Sequence, residues 1–317
     1  LRDAGMTARV LRMANSVFFR GEGNRINTIS RAVVLLGFDT VRNIAISVAL
    51  IDAFLAGGVR DRVTAEMARC FHAAVHARHA AVVRSDTVFL LYRAEDKIGK
   101  FAGTSRLGLA FSTDGLHFVR KQEPILFPAD DFMKIYEWEG GIEDPRIVER
   151  EDGIYIMTYT AYDGINALGA LAVSTDLVTW EKKGIIVPQM TYDEFAQLSG
   201  KNEELNQKYV RFNQHEGIHE IDGKEVLVWD KNFIFFPRRI NGDLYFLHRI
   251  KPDIQIVVAV TSLEDLTEDF WKRYFLHLED RIVLVPKYKH EVSYVGGGCP
   301  PIETEYGWLL IYHGVYD

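Results

Sequence analysis

The densest chemical signal in the chain is Gly140-Gly141-Ile142-Glu143-Asp144-Pro145-Arg146. Proline fixes its own φ and disfavours helix at the residue before it, so Asp144 is expected to be held extended at the start of a strand. A carboxyl group fixed in this way can deliver a proton at a set place. Asp144 and Arg146 also read as a structural ion pair, and spacing alone leaves both readings open. His215-Glu216-Gly217-Ile218-His219 spells a pattern in which two histidines one helical turn apart hold zinc. Gly217 weakens a helix there and the Ile221-Asp222-Gly223-Lys224 turn follows directly, so zinc hydrolysis is set aside. His72, His76 and His79 share one helical face, but no carboxylate joins them at helical spacing and they read as a polar surface. The two thiols, Cys70 and Cys299, lie in different segments and offer neither a disulfide framework nor a four-cysteine metal site. No metal site is assigned, and a reducing, cytoplasmic setting is expected.

The elements that must position Asp144 come from a repeat. From Ser85 onward a turn and an aromatic strand are followed by a small-residue strand ending in Ser/Thr-Asp. SDTVFLLYRA (85–94) with SRLGLAFSTDGLHF (105–118) is one copy, and EDGIYIMTYTAY (151–162) with GALAVSTDLVTW (169–180) is another. INGDLYFLHR (240–249) with IQIVVAVTSLEDLTEDFW (254–271) is a looser third, and ETEYGWLLIYHG (303–314) supplies only a first half. Short strands with Asp-Gly or Asn-Gly turns and no long intervening helices fit a mainly β chain, best a β-propeller, whose radial sheets leave few free edges. The segment 190–214 is polar and helical in pattern, an insertion between blades. The chain stops at Asp317 midway through a unit, so the ring is expected to be incomplete at that end.

Upstream the chain changes character. Residues 1–82 contain no lysine, with 11 Arg against 6 Asp+Glu, while the remainder carries 26 Lys+Arg against 38 Asp+Glu. The net charges of +5 and −12 make up the −7 of the whole chain. Met6, Val10, Leu11, Met13 and Val17 lie at near-helical spacing, Asp39 caps a helix over residues 40–55 that Gly57-Gly58 stops, and residues 60–82 continue as another helix. The boundary between an α-helical segment and the β repeats is placed within about five residues of Ala81. The positive charge is spread along the helices rather than clustered, and the helix after LLGFDTVRN is apolar where base reading needs polar side chains. Nucleic acid is therefore not a partner, and no apolar run is long enough to cross a membrane.

LRMANSVFF followed by INTISRAVVLLGFDTVRNIAISVAL resembles the HDOD signalling domain over less than half of such a domain, which implies a protein-interaction module at residues 1–82. For 83–317, LLYRAED, SRLGLAFSTDGLHF, GGIEDPRI, YIMTYTAYDG, LAVSTDLVTWEKKG, DKNFIFFPRRINGDLYFLHR and GGGCPPIETEYGWLLIYHGVYD resemble glycoside hydrolase family 130, the β-mannoside phosphorylases. That resemblance implies a five-bladed β-propeller that breaks β-mannosidic bonds with inversion, with phosphate as co-substrate and no other cofactor, releasing α-mannose 1-phosphate. Such a reaction needs one acid and a cationic pocket for phosphate. By the resemblance Asp144 is the acid, acting through a sugar hydroxyl; Lys231, His248, Arg249 and Arg106 bind phosphate; and Arg93, Arg146, Tyr162, Asp163, His313 and Asp317 bind substrate. The expected partner is a β-manno-oligosaccharide or a mannosyl-glucose, with a homo-oligomer left open. The family's Asn-Pro-Ala-Ala is replaced by Arg78-His79-Ala80-Ala81, which puts activity in doubt. A β-mannoside hydrolase and a non-catalytic carbohydrate-binding or signalling fusion are the alternatives.

Overall fold

The computed structural model describes residues 79–95, 103–114, 117–200, 207–215 and 219–316, together with Leu11 and Leu205. The expected upstream helices, His72, His76 and Asp317 lie outside the described residues. The chain is mainly β. Strands β1 (His79–Arg84), β2 (Thr87–Glu95), β3 (Ser105–Ser112) and β4 (Val119–Arg120) form one antiparallel unit. Strands β5 (Gly141–Glu149), β6 (Tyr155–Tyr162), β7 (Ala167–Ser174) and β8 (Glu181–Ile185) form a second. A single parallel bridge, Ser105 to Gly141, joins the two. After the short β9 (Glu220–Ile221) and β10 (Lys224–Glu225), a third unit follows in β11 (Lys231–Phe235), β12 (Leu244–Arg249), β13 (Ile254–Val260) and β14 (Ile282–Leu284). β15 (Tyr294–Gly297) pairs with β18 (Tyr312–Val315), and β16 (Ile302–Thr304) with β17 (Gly307–Leu309). The leading strands touch in sequence: β1 meets β5, β5 meets β11, and β11 meets β15.

The repeats of the sequence become these hairpins, because an aromatic strand and a small-residue strand pack well as antiparallel neighbours. Asn241-Gly242, both at positive φ, makes the turn into β12. The polar insertion is helical as expected, in α2 (Tyr192–Ser199) and α3 (Gln207–His215), which follow the short α1 (Lys134–Glu137). Thr191 caps α2 in a reciprocal box with Glu194. His215 is the last residue of α3 and His219 stands outside it, so the two histidines of the zinc-like pattern do not share a helix. With α4 (Glu268–Leu276), these helices cover an apolar core in which Phe195, Tyr209, Phe246, Trp271 and Phe275 are buried. A second core, around Leu91, Leu107, Ile142 and Met157, lies between the first two units.

Residues 79–82, read from sequence as the end of a helix, are instead part of β1, which begins at His79. Ser85 and Asp86 at positive φ close a tight turn, and six paired residues outweigh the weak helical preference of HAAVVR.

Candidate active site

Asp144 is not extended: its φ is +49°. The ladder between β5 and β6 pairs Glu143 with Thr160 and then Arg146 with Thr158, so Asp144 and Pro145 together oppose Tyr159. This β-bulge explains the departure from the expectation. Tertiary pairing overrides the local pre-proline preference, and Pro145, which has no N–H, stands where no ladder bond is required. The bulge leaves the Asp144 side chain 18% exposed while Glu143 and Arg146 on either side are buried.

Arg93 on β2 links Asp144 to the first unit. Its guanidinium is 3.8 Å from an Asp144 oxygen, 2.8 Å from Glu143 and also paired with Glu95. Its Nε donates to Ser105 Oγ at 2.9 Å, and that hydroxyl donates to Glu95 at 3.0 Å. Glu143 receives a second cation, Lys231 Nζ at 3.3 Å from β11. One buried carboxylate therefore fixes two cations from two other antiparallel units. Lys231 also lies 6.0 Å from the Tyr162 ring and 5.4 Å from the Trp229 ring. Lys231 faces Arg249 across the β11–β12 ladder, so the two share a side of the sheet. Arg249 lies over Tyr294 at 4.7 Å.

On the other side of Asp144, Arg146 donates to the carbonyls of Asp144 and Pro145, at 3.1 Å each, and to Gly297 on β15 at 3.4 Å. Burial pushes the pKa of Arg146 and of Arg249 below the ordinary arginine value, and Asp144 opposes that shift in both. Burial, helped by Arg249 and Arg146, brings His313 down to about 4, so its imidazole is neutral at pH 7. Arg146 Nε, Arg249 Nε and His313 Nδ1 are buried and find no hydrogen-bond partner among the described residues. Buried polar atoms normally have partners, so this grouping of two cations and a neutral imidazole is suited to an anionic or hydroxyl-bearing ligand.

The structure thus gathers Asp144, Arg93, Arg146, Lys231, Arg249 and His313, with Tyr162 at their edge. It does not gather His248. That side chain is fully buried, its Nδ1 2.9 Å from Asp230 and its Nε2 2.8 Å from the Tyr274 hydroxyl, among the rings of Phe233 and Trp271. Neighbours on a strand point to opposite faces, so His248 and Arg249 cannot serve one pocket. Asp163 caps its own turn through the Ile165 and Asn166 amides and lies 3.5 Å from Lys224. It borders a cavity of about 230 Å³ shared with Tyr136, Asn166, Lys224 and Glu225. Arg106 is half-buried on β3 opposite Ala94. Sequence reasoning missed Glu143, Trp229, Asn232 and Tyr294; the run Trp229-Asp230-Lys231-Asn232 was the signal available.

The glycoside hydrolase family 130 model, described as β-1,4-mannooligosaccharide phosphorylase, matches residues 56–317, and the HDOD domain model matches 1–85. A 1,2-β-oligomannan phosphorylase of Thermoanaerobacter sp. (strain X514) is 31% identical over 75% of this chain and 64% of its own length. A β-1,2-mannobiose phosphorylase of Listeria innocua is 27% identical over 72% of this chain and 51% of its own length. The chain thus spans between half and two thirds of these curated relatives. Among solved structures, a candidate glycosidase from Bacteroides thetaiotaomicron superposes with a TM-score of 0.52 at 28% identity, over 76% of this chain and 62% of the other.

Proposed function

Because the chain belongs to glycoside hydrolase family 130, we propose that it cleaves β-mannosides by inverting phosphorolysis and that its sheets are blades of a five-bladed propeller. The succession of leading strands β1, β5, β11 and β15, each touching the next, supports the radial arrangement. An HDOD-like segment precedes this domain, with β1 on the domain's side of the junction.

In the proposed reaction a phosphate oxygen attacks the anomeric carbon on the face opposite the leaving group. The C–O bond of the mannoside breaks as the C–O bond to phosphate forms. The departing oxygen takes a proton that originates on Asp144 and passes through a sugar hydroxyl, so α-mannose 1-phosphate and a shortened acceptor result. Arg249 and Lys231, on one side of their sheet, hold phosphate with Arg146, whose unpaired Nε is a free donor for an anionic oxygen. Arg93 orients the Asp144 carboxyl, and the Tyr162 and Trp229 rings offer faces for sugar stacking. The observation that carries this reading is one carboxyl group on a bulge beside Arg93, with two buried arginines and His313 electrostatically coupled to it.

The test is incubation of the folded chain with β-1,2- and β-1,4-manno-oligosaccharides, with and without phosphate. The expected product is mannose 1-phosphate, formed only when phosphate is present. Free mannose regardless of phosphate would replace this reading with hydrolysis, and no product from folded chain would replace it with a binding role.

A further inference from the structure

Asn232 sits on β11 where Asp144 sits on β5. The β11–β12 ladder pairs Lys231 with Arg249 and then Ile234 with Leu247, so Asn232 and Phe233 together oppose His248 in a second bulge of the same kind. Asn232 has φ +56°, close to the +49° of Asp144. The residues just before the two bulges, Lys231 and Glu143, are ion-paired, which sets the bulges side by side.

We propose that Asn232 is a substrate-binding residue whose side-chain amide holds hydroxyl groups of the mannosyl unit between β11 and β15. The proposal rests on the mannoside reading given above. Three observations carry it. First, asparagine tolerates the left-handed conformation, but glycine takes it with no steric cost, so backbone demands alone do not require an amide here. Second, Asn232 is only 8% exposed, so its amide stands in a confined space rather than in open solvent. Third, the amide and the His313 ring converge on Gly296. A Cβ built on Gly296 of β15 would stand 2.5 Å from Asn232 Nδ2 and 2.6 Å from His313 Nε2. The glycine leaves room for both polar ends to reach the same space. An amide offers donors and an acceptor, which matches a pair of hydroxyls, whereas phosphate oxygens call for donors only and have them in Arg146 and Arg249.

The experiment compares the full chain with its Asn232→Gly and Asn232→Asp variants. Isothermal titration is run separately with β-1,2-mannobiose and with inorganic phosphate, beside thermal melting and phosphorolysis kinetics. Asn232→Gly is expected to keep or raise the melting temperature, because the strain of a side chain at positive φ is removed. It should weaken mannobiose binding and raise its KM about tenfold or more, with the phosphate values within about twofold of the parent. Asn232→Asp tolerates the same φ but loses the amide donors and adds a negative charge; it should weaken mannobiose binding as well, with some added loss of phosphate affinity from the charge, and carries the test should glycine disturb the fold. Unchanged mannobiose binding in a folded variant overturns the proposal and leaves Asn232 a backbone residue only. A loss confined to phosphate overturns it as well. If the parent chain binds mannobiose but forms no mannose 1-phosphate, phosphorolysis falls while the titration still decides the role of Asn232; if the folded parent does not bind mannobiose, both fall.

Discussion

Strands β5 and β11 carry the same bulge with different chemistry. Each begins an antiparallel unit, each interrupts its ladder with one extra residue, and each puts that residue in the left-handed region. The ring across each bulge is buried and tied to a carboxylate. On β6, Tyr159 donates to Glu137 at 2.9 Å, and Glu137 is held by Lys182 at 2.6 Å. On β12, His248 lies 2.9 Å from Asp230 and is closed on the other side by Tyr274. The backbone device is shared; what differs is the group presented, an ionisable carboxyl at Asp144 and a neutral amide at Asn232. The fold thus supplies position at two adjoining places, and residue type decides which of them can carry a transferable proton.

The largest effect is expected when the two strands are made chemically alike. Asp144→Asn gives both bulges an amide, and the rate of mannose 1-phosphate formation should fall about 10²–10⁴-fold with the melting temperature preserved. A variant with more than a tenth of parental turnover would remove Asp144 as the acid. Next in size is the brace behind β5. Lys182→Met leaves the fully buried Glu137 without its cation, and chemical denaturation should show a loss of about 3–5 kcal/mol. The brace behind β11 should matter less, since Asp230 and His248 form a pair without a buried lysine. His248→Phe should cost about 1–3 kcal/mol of stability while phosphate affinity, measured by titration, stays at the parental value. A large selective loss of phosphate binding would return His248 to the pocket. A further effect is on pH dependence. The His313 pKa in the fold, about 4, lies below its ordinary 6.5, so the unfolded chain takes up the proton first as pH falls. His313 therefore contributes a loss of stability that begins near pH 6.5 and is complete below about 4. Denaturation midpoints at pH 7 and pH 4.5 should differ less in His313→Gln than in the parent.

Much of the scaffold was legible because its signals are local. Asp-Gly and Asn-Gly turns between aromatic and small-residue strands specify hairpins through a few residues, and the hairpins are found where those residues stand. Asp144, Arg146, Arg249 and Lys231 were legible as chemistry through their motifs, and the structure brings them together. What was illegible depends on register. A bulge is one residue of offset between two strands far apart in sequence, so neither the φ of Asp144 nor its likeness to Asn232 shows in the pattern of either strand. Glu143 was hidden for the same reason, since its contacts are with Arg93 and Lys231 on strands distant in sequence. β1 was misread because Ala80, Ala81 and the preceding alanines favour helix until a partner strand is present. His248 could have been read correctly: adjacent strand residues face opposite ways, and only one of His248 and Arg249 could line the pocket.

The one-residue bridge between Ser105 and Gly141 has a mechanical consequence. A Cβ on Gly141 would come within 2.2 Å of the Ser105 carbonyl oxygen, so the seam is both narrow and closed to any side chain. Arg93 belongs to the antiparallel unit on one side of it and Asp144 to the unit on the other. Any rotation of one unit against the other about this line would change the distance between Arg93 and Asp144 while leaving the hairpins of both units intact.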